Sequence, residues 1–209
     1  MNLIASDSYR EVHISKMSGK LDGMFAINTN TLSNEFCKNA YKSSNKASVC
    51  THCYSHRMLN TYRKSAEAAW QRNSEALSGE LLKDRELPTF NARYVRIHGH
   101  GELINTNHLL NIYSIANWNP HTTFALWTKR MDIVQSVHKN MDKPDNVIIV
   151  FSNPVVGSVM TTPPKYADKV FNVIPKDSTE RDNCTGQKCM TCLRCYSMDR
   201  TNVIVEKLK

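Results

Sequence analysis

Seven cysteines fall into two groups, Cys37, Cys50 and Cys53 near the start of the chain and Cys184, Cys189, Cys192 and Cys195 near its end. Thiolates are soft ligands suited to zinc or iron–sulfur clusters, and closely spaced thiolates repel unless a cation holds them together. Disulfide pairing competes with that reading. The cysteine count is odd, 209 residues can bury a core without staples, and the polar first residues, Met1 to Ser8, lack the apolar run of a secretory signal. Ligation of a metal or cluster by at least one group is therefore expected.

The first group, Cys37-x12-Cys50-x2-Cys53-Tyr54, follows an apolar run with β character, Met24 to Thr29, and precedes a segment of helical periodicity. In parallel α/β folds, ligands bind at the carboxyl ends of strands, where loops run to the next helix. Three thiolates there could hold three irons of a [4Fe–4S] cluster and leave the fourth open. Three alternatives stand beside this. Zinc could bind the three cysteines with His52, His56 or a distant cysteine; a cysteine of the second group could cap the cluster; or Cys37 could be an ordinary buried thiol.

The second group, Cys184-x4-Cys189-x2-Cys192-x2-Cys195, supplies four thiolates, enough to complete a coordination sphere. Its x2, x2 portion is similar to ferredoxin-like cluster loops. An auxiliary [4Fe–4S] cluster is expected, with structural zinc as the alternative, and Gly186, Lys188 and Arg194 are expected to ease the local charge.

Between the groups, His98-Gly99-His100-Gly101-Glu102 follows an expected strand, Arg93 to His98. Glycines allow close approach to the backbone, and Glu102 can accept from an ammonium group. His98 and His100 would share one side of an extended segment, as ligand contacts or as surface loop histidines. Thr128-Lys129 and Ser152-Asn153 end two further expected strands, so their side chains would face the same mouth as the cysteines. Helix caps and turn formers are the plain alternative for these residues.

Three cysteines beside an α/β sheet, with an aromatic after the last, resemble the radical S-adenosylmethionine (SAM) enzymes, although here twelve residues separate the first two cysteines rather than three. That resemblance implies an open iron that chelates SAM and an electron donor that drives its reductive cleavage. It also implies contacts from Gly99, Gly101 and Glu102 to the methionine part, from Ser152 and Asn153 near the ribose, and from Lys129 near a carboxylate. A closer likeness is carried by Lys20-Leu21-Asp22-Gly23, the Cys50-x2-Cys53-Tyr54-Ser55 unit, RIHGHGEL from Arg96 to Leu103, FALWTK from Phe124 to Lys129, and the terminal cysteines. These resemble the phage gene product 88 domain family from about Lys16 to Cys195, which implies a host-cytoplasmic setting. The competing function is a non-enzymatic phage protein, stapled by zinc or a fully ligated cluster, that binds nucleic acid or a protein partner.

The elements that must position these residues alternate along the chain. Strands are expected at Arg93–His98, Thr122–Thr128, Asn146–Ser152, Lys169–Ile174 and Asn202–Glu206. Helices are expected from Ala66 to Leu82, Asn107 to Trp118 and Met131 to Asn140. The strands are too continuously apolar for a one-sided sheet, so both faces should be covered. The expected class is α/β: a small partial (β/α) barrel of about five mostly parallel strands over residues 1–175, with a cysteine-rich appendage over 176–209. The 27 basic and 19 acidic side chains leave a charge of +8, which allows a nucleic acid or nucleotide substrate; a scattered, solvated positive surface is the competing reading. No stretch approaches a membrane span, so a reducing cytoplasm is the expected setting.

Overall fold

A computed structural model describes residues 10–198 and 200–208. A seven-stranded sheet forms the frame, with its strands side by side in chain order. β1 (Ser15–Lys16) runs antiparallel to β2 (Phe25–Ile27). The next strands are β3 (Tyr94–Ile97), β4 (Thr123–Thr128), β5 (Val147–Ser152), β6 (Lys169–Ile174) and β7 (Val203–Lys207), all parallel to β2. Parallel strands in sequential order, joined by crossovers of one hand, put the long crossover helices after β2, β3 and β4 on the same face. The sheet is open, with β1 and β7 at its edges, so it is a partial barrel and not a closed one. Six strands are parallel, one more than expected, because the terminal segment contributes β7 to the same sheet.

The period-2 alternation of each strand divides the core in two. Val95, Ile97, Phe124, Leu126, Val147 and Ile149 face α3 (Lys64–Ser78), α4 (Thr106–Trp118) and α5 (Met131–Val137). Ala125, Trp127, Ile148 and Val150 face the other way, onto Met24 and Tyr196, with Leu193, Cys189 and Cys195 packed against them. Both faces are thus covered, the second by the cysteine-rich segment itself. Among the described residues, no helix is long and apolar enough to cross a membrane.

Two short helices lie where only a loop was expected. α1 (Glu35–Tyr41) carries Cys37 and is capped by Asn34, whose side chain accepts from the Cys37 N–H at 3.4 Å. α2 (Tyr54–Leu59) begins directly after Cys53. α3 stops at Ser78, before Gly79, short of the expected Leu82.

Candidate metal centres

The carboxyl ends of β2, β3, β4 and β5 share one rim, and the first cysteine group is anchored to it at several points. Asn34 caps α1 with its oxygen and donates through Nδ2 to the Glu102 carbonyl at 3.1 Å, so one side chain ties Cys37 to the turn after β3. The twelve residues after Cys37 cross to the loop beyond β5, where Ser48 bridges to Val155 and the Val49 N–H donates to the Pro154 carbonyl. The Ser48 hydroxyl then accepts from the Cys50 N–H at 3.2 Å, and the Cys53 N–H closes the turn onto the Cys50 carbonyl. Cys37 and Cys50 therefore lie within electrostatic reach of each other, of Cys53, of Glu102 and of Lys129. Burial, then Glu102 and the neighbouring thiols, push the Cys37 thiol far up; burial also raises Cys50, and Lys129 opposes both shifts. Protonated, half-buried thiols are poor nucleophiles, and a bound metal displaces their protons.

Glu102 is a tie between strands. One carboxylate oxygen accepts from the Leu103 N–H (2.8 Å) and the Thr128 hydroxyl (2.6 Å), and the other from the Lys129 N–H (2.8 Å). The Lys129 ammonium reaches the Ser152 hydroxyl at 3.1 Å. Asn153 turns inward, its amide donating to the Ser158 carbonyl and to Asn172, and its oxygen accepting from the Val155 N–H. At the glycines, the close approach comes from the chain itself. A Cβ on Gly99 would meet Met17 Cε at 2.8 Å, and one on Gly101, where φ is +97°, would fall on Thr29. Tyr54 is half-exposed, yet its hydroxyl donates to the Gly99 carbonyl.

His98 and His100 do not share a side. His98 adopts φ 61°, which ends the extended backbone, and both histidines are buried, which overturns the surface-loop alternative. The Ile104 N–H donates to His108 Nδ1 (3.2 Å), so His108 donates from Nε2 to His98 Nε2 (3.4 Å), and His98 Nδ1 donates to the Trp127 carbonyl (3.1 Å). His100 instead stacks on Trp70 and pairs with Ser55, which in turn meets Thr31.

The second cysteine group lies on the sheet face opposite α3, α4 and α5. α6 (Cys189–Cys192) is one turn, ended by Leu193 in the left-handed region. Asn183 and Cys184 both donate their N–H to the Val205 carbonyl, which straps the segment to β7. Lys188 pairs with Asp22, and Arg194 donates to the Asn183 carbonyl, so the partners of both are groups other than the thiols. The cations at the thiols come from elsewhere. Lys20 lies 3.3 Å from Cys184 while also pairing with Glu206, and Arg96 opposes the upward shifts of Cys189 and Cys195, the latter pushed by burial to about 12.

All seven thiols are free and partly buried. Among the described residues, no three His, Cys, Asp or Glu side chains are grouped to hold a single metal ion. Four donors about 2.0–2.3 Å from one centre are what zinc requires, whereas a cubane takes its thiolates at separate corners. An all-sulfur donor set of this kind fits either an iron–sulfur cluster or a four-thiolate zinc site.

The Gene product 88 family matches residues 7–195, a span that includes both cysteine groups and the whole rim. The chain belongs to the Gene product 88 family. No curated protein and no solved structure matches it. Sequence reasoning missed Asn34 and Ser48, which tie this family member's rim together, and Lys20 and Arg96, which lie at its terminal cysteines. Asn34 and Ser48 had a legible signal, as capping residues just ahead of Cys37 and Cys50.

Proposed function

We propose that the protein is an iron–sulfur enzyme of radical SAM type, which cleaves S-adenosylmethionine reductively to modify a further substrate. The supporting observation is the convergence of Cys37, Cys50 and Cys53 with Lys129 at the carboxyl ends of parallel strands. When bound, a [4Fe–4S] cluster with one open iron would supply the electron that converts SAM to methionine and a 5′-deoxyadenosyl radical. The three thiols are the ligands for that cluster, and an external one-electron donor supplies the reductant. Lys129 and Ser152 offer polar contacts at the rim for the carboxylate and ribose of SAM. Gly99 and Gly101 shape the turn that presents the Glu102 region to its amino group, and Asn153 forms the adjoining wall. Cys184, Cys189, Cys192 and Cys195 hold a second cluster. The +8 charge supports a nucleic acid or nucleotide substrate.

A scaffold reading rests on a different observation. The terminal cysteine segment is packed into the core beneath the sheet, so its metal, zinc or a fully ligated cluster, would serve as a folding staple for a protein that binds nucleic acid or a protein partner.

An anaerobic iron, sulfide and zinc count on the full chain separates the two. About eight irons, two four-iron clusters, with a SAM-dependent change in the electron paramagnetic resonance (EPR) spectrum of the reduced protein, supports the enzyme. Zinc without iron eliminates it. Cys50→Ala should abolish SAM cleavage and keep the terminal cluster; 5′-deoxyadenosine accumulating in that variant overturns the open-site assignment.

A further inference from the structure

We propose that Arg96 is the shared counter-charge of the two cysteine groups: its guanidinium, seated on the Trp127 ring, sets the reduction potential of the centre at Cys184, Cys189, Cys192 and Cys195 and couples it to the centre at Cys37, Cys50 and Cys53. The inference rests on the reading above that both groups hold clusters.

Strand alternation directs Arg96 away from the helices, onto the face that carries the terminal cysteines. Its guanidinium carbon lies 3.1 Å from the Trp127 ring centroid, and Nε donates to the His98 carbonyl at 3.4 Å. On one side its Trp127 partner packs with Tyr196, Cys189 and Cys195, and the guanidinium lies within electrostatic reach of both thiols. On the other it faces Tyr54, which adjoins Cys53 and bonds to Gly99, the residue after His98. A continuous path of contacts thus runs from Cys53 through Tyr54, the His98–Gly99 backbone, Arg96, Trp127 and Tyr196 to Cys195. The Trp127 and Tyr196 rings are 5.9 Å apart along it.

Arg10 and Arg130 each pair with a carboxylate, but among the described residues none pairs with Arg96. Arg96 is partly buried, and drawing a guanidinium even partly out of water without an anion costs free energy, so the position suits an anion. A cubane with four thiolates is one, and its negative charge grows when it is reduced. A fixed cation beside it favours the reduced form, by an amount that depends on charge and not on shape. Arg96 is in this sense a positioning residue.

The test uses the full chain, reconstituted anaerobically with iron and sulfide, in redox titrations followed by EPR. Cys50→Ala assigns the terminal signal. In Arg96→Gln the terminal centre should become at least tenfold harder to reduce, about 59 mV for one electron, with a smaller shift of the same sign at the first centre. Arg96→Lys, which keeps the charge and loses the planar stack, should stay near wild type. The inference is overturned if Arg96→Gln moves neither potential, or if Arg96→Lys moves them as far as Arg96→Gln. Should Arg96→Gln fail to fold, Arg96→Met, which keeps an unbranched apolar chain on Trp127 and removes the charge, takes its place: a tenfold shift upholds the role of charge and an unchanged potential refutes it. A wild-type chain that takes up no iron removes the cluster reading and this inference together, whereas iron at both groups with indifference to Arg96 removes only the inference.

Discussion

The Lys129 ammonium lies 3.1 Å from the Ser152 hydroxyl, joining the carboxyl ends of β4 and β5 beside the Cys37 and Cys50 thiols. Lys129 is the cation that opposes the burial of both thiols, so its loss leaves them harder to ionise. In metal-free Lys129→Met, alkylation of Cys50 at pH 8 should slow several-fold relative to wild type, with the terminal cysteines unaffected. Lys129→Arg should react at close to the wild-type rate. Mass spectrometry of iodoacetamide-treated protein reads this directly, and equal rates in wild type and Lys129→Met would show that Lys129 does not act on the thiols.

Glu102 accepts three hydrogen bonds that hold the turn after β3 to the end of β4. Glu102→Gln keeps the shape but places an amide donor against N–H or O–H donors. A charged acceptor bond is worth about 1.5–3 kcal/mol, and an orphaned buried donor costs a similar amount. The expected loss of stability is about 3 kcal/mol, read from the urea midpoint at constant m-value. A loss below about 0.5 kcal/mol would mean that the turn is held by its backbone alone.

Thr29 and Gly101 touch across the rim, and they respond to substitution in opposite directions. The Thr29 hydroxyl is fully buried without a hydrogen-bond partner. Thr29→Val removes that orphan at nearly constant volume and should be neutral or stabilising by about 1 kcal/mol. Gly101→Ala forces a Cβ onto the Thr29 side chain and carbonyl at φ +97°, and should cost about 3 kcal/mol or more. Thermal melts of the two variants test both signs.

How far the sequence anticipated the structure follows from which interactions are local. Strands β4 and β5 were legible because central parallel strands are buried on both faces and read as continuous apolar runs such as Val147–Phe151. α1 was not, since it buries no side chain completely and its seven residues sit in a polar, turn-rich stretch, announced only by the Asn34 cap. The end of α3 was set too late because Leu81 and Leu82 continue the periodicity past Gly79. At the site, the cysteines announced themselves by spacing, but their electrostatic partners did not. Lys188 and Arg194 are near the thiols in sequence and turned elsewhere in space, whereas Lys20 and Arg96 arrive from distant strands and turns. Likewise His98 and His100 part company at a single left-handed residue that no alternation rule contains.

Acid should unfold the chain through its buried histidines. His98, His100 and His108 all have pKa values lowered chiefly by burial, His100 to about 4. Arg63 and Arg96 add to the effect at His100; Glu102 opposes it at His98, against Arg96 and Lys129; and His98 itself adds to it at His108. Well above pH 6.5 neither the folded nor the unfolded chain protonates these rings, and they contribute no pH dependence. Below it the unfolded chain takes up protons that the folded chain refuses, so stability falls with pH, by up to about 1.4 kcal/mol per unit for each histidine. For His100 the decline continues until the folded ring protonates near pH 4. Urea unfolding of metal-free protein at pH 7.5, 6.5 and 5.5 should show stability falling by about 1 kcal/mol over the first step and by about 3 kcal/mol over the second. His100→Phe keeps a ring on Trp70 while removing one titrating group, and its curve should be shallower below pH 6.5 by about 1.4 kcal/mol per unit. A wild-type midpoint that is the same at pH 7.5 and 5.5 would mean that these histidines reach protons in the folded state, and that the bonds from Ile104 through His108 and His98 to Trp127 are not closed to water.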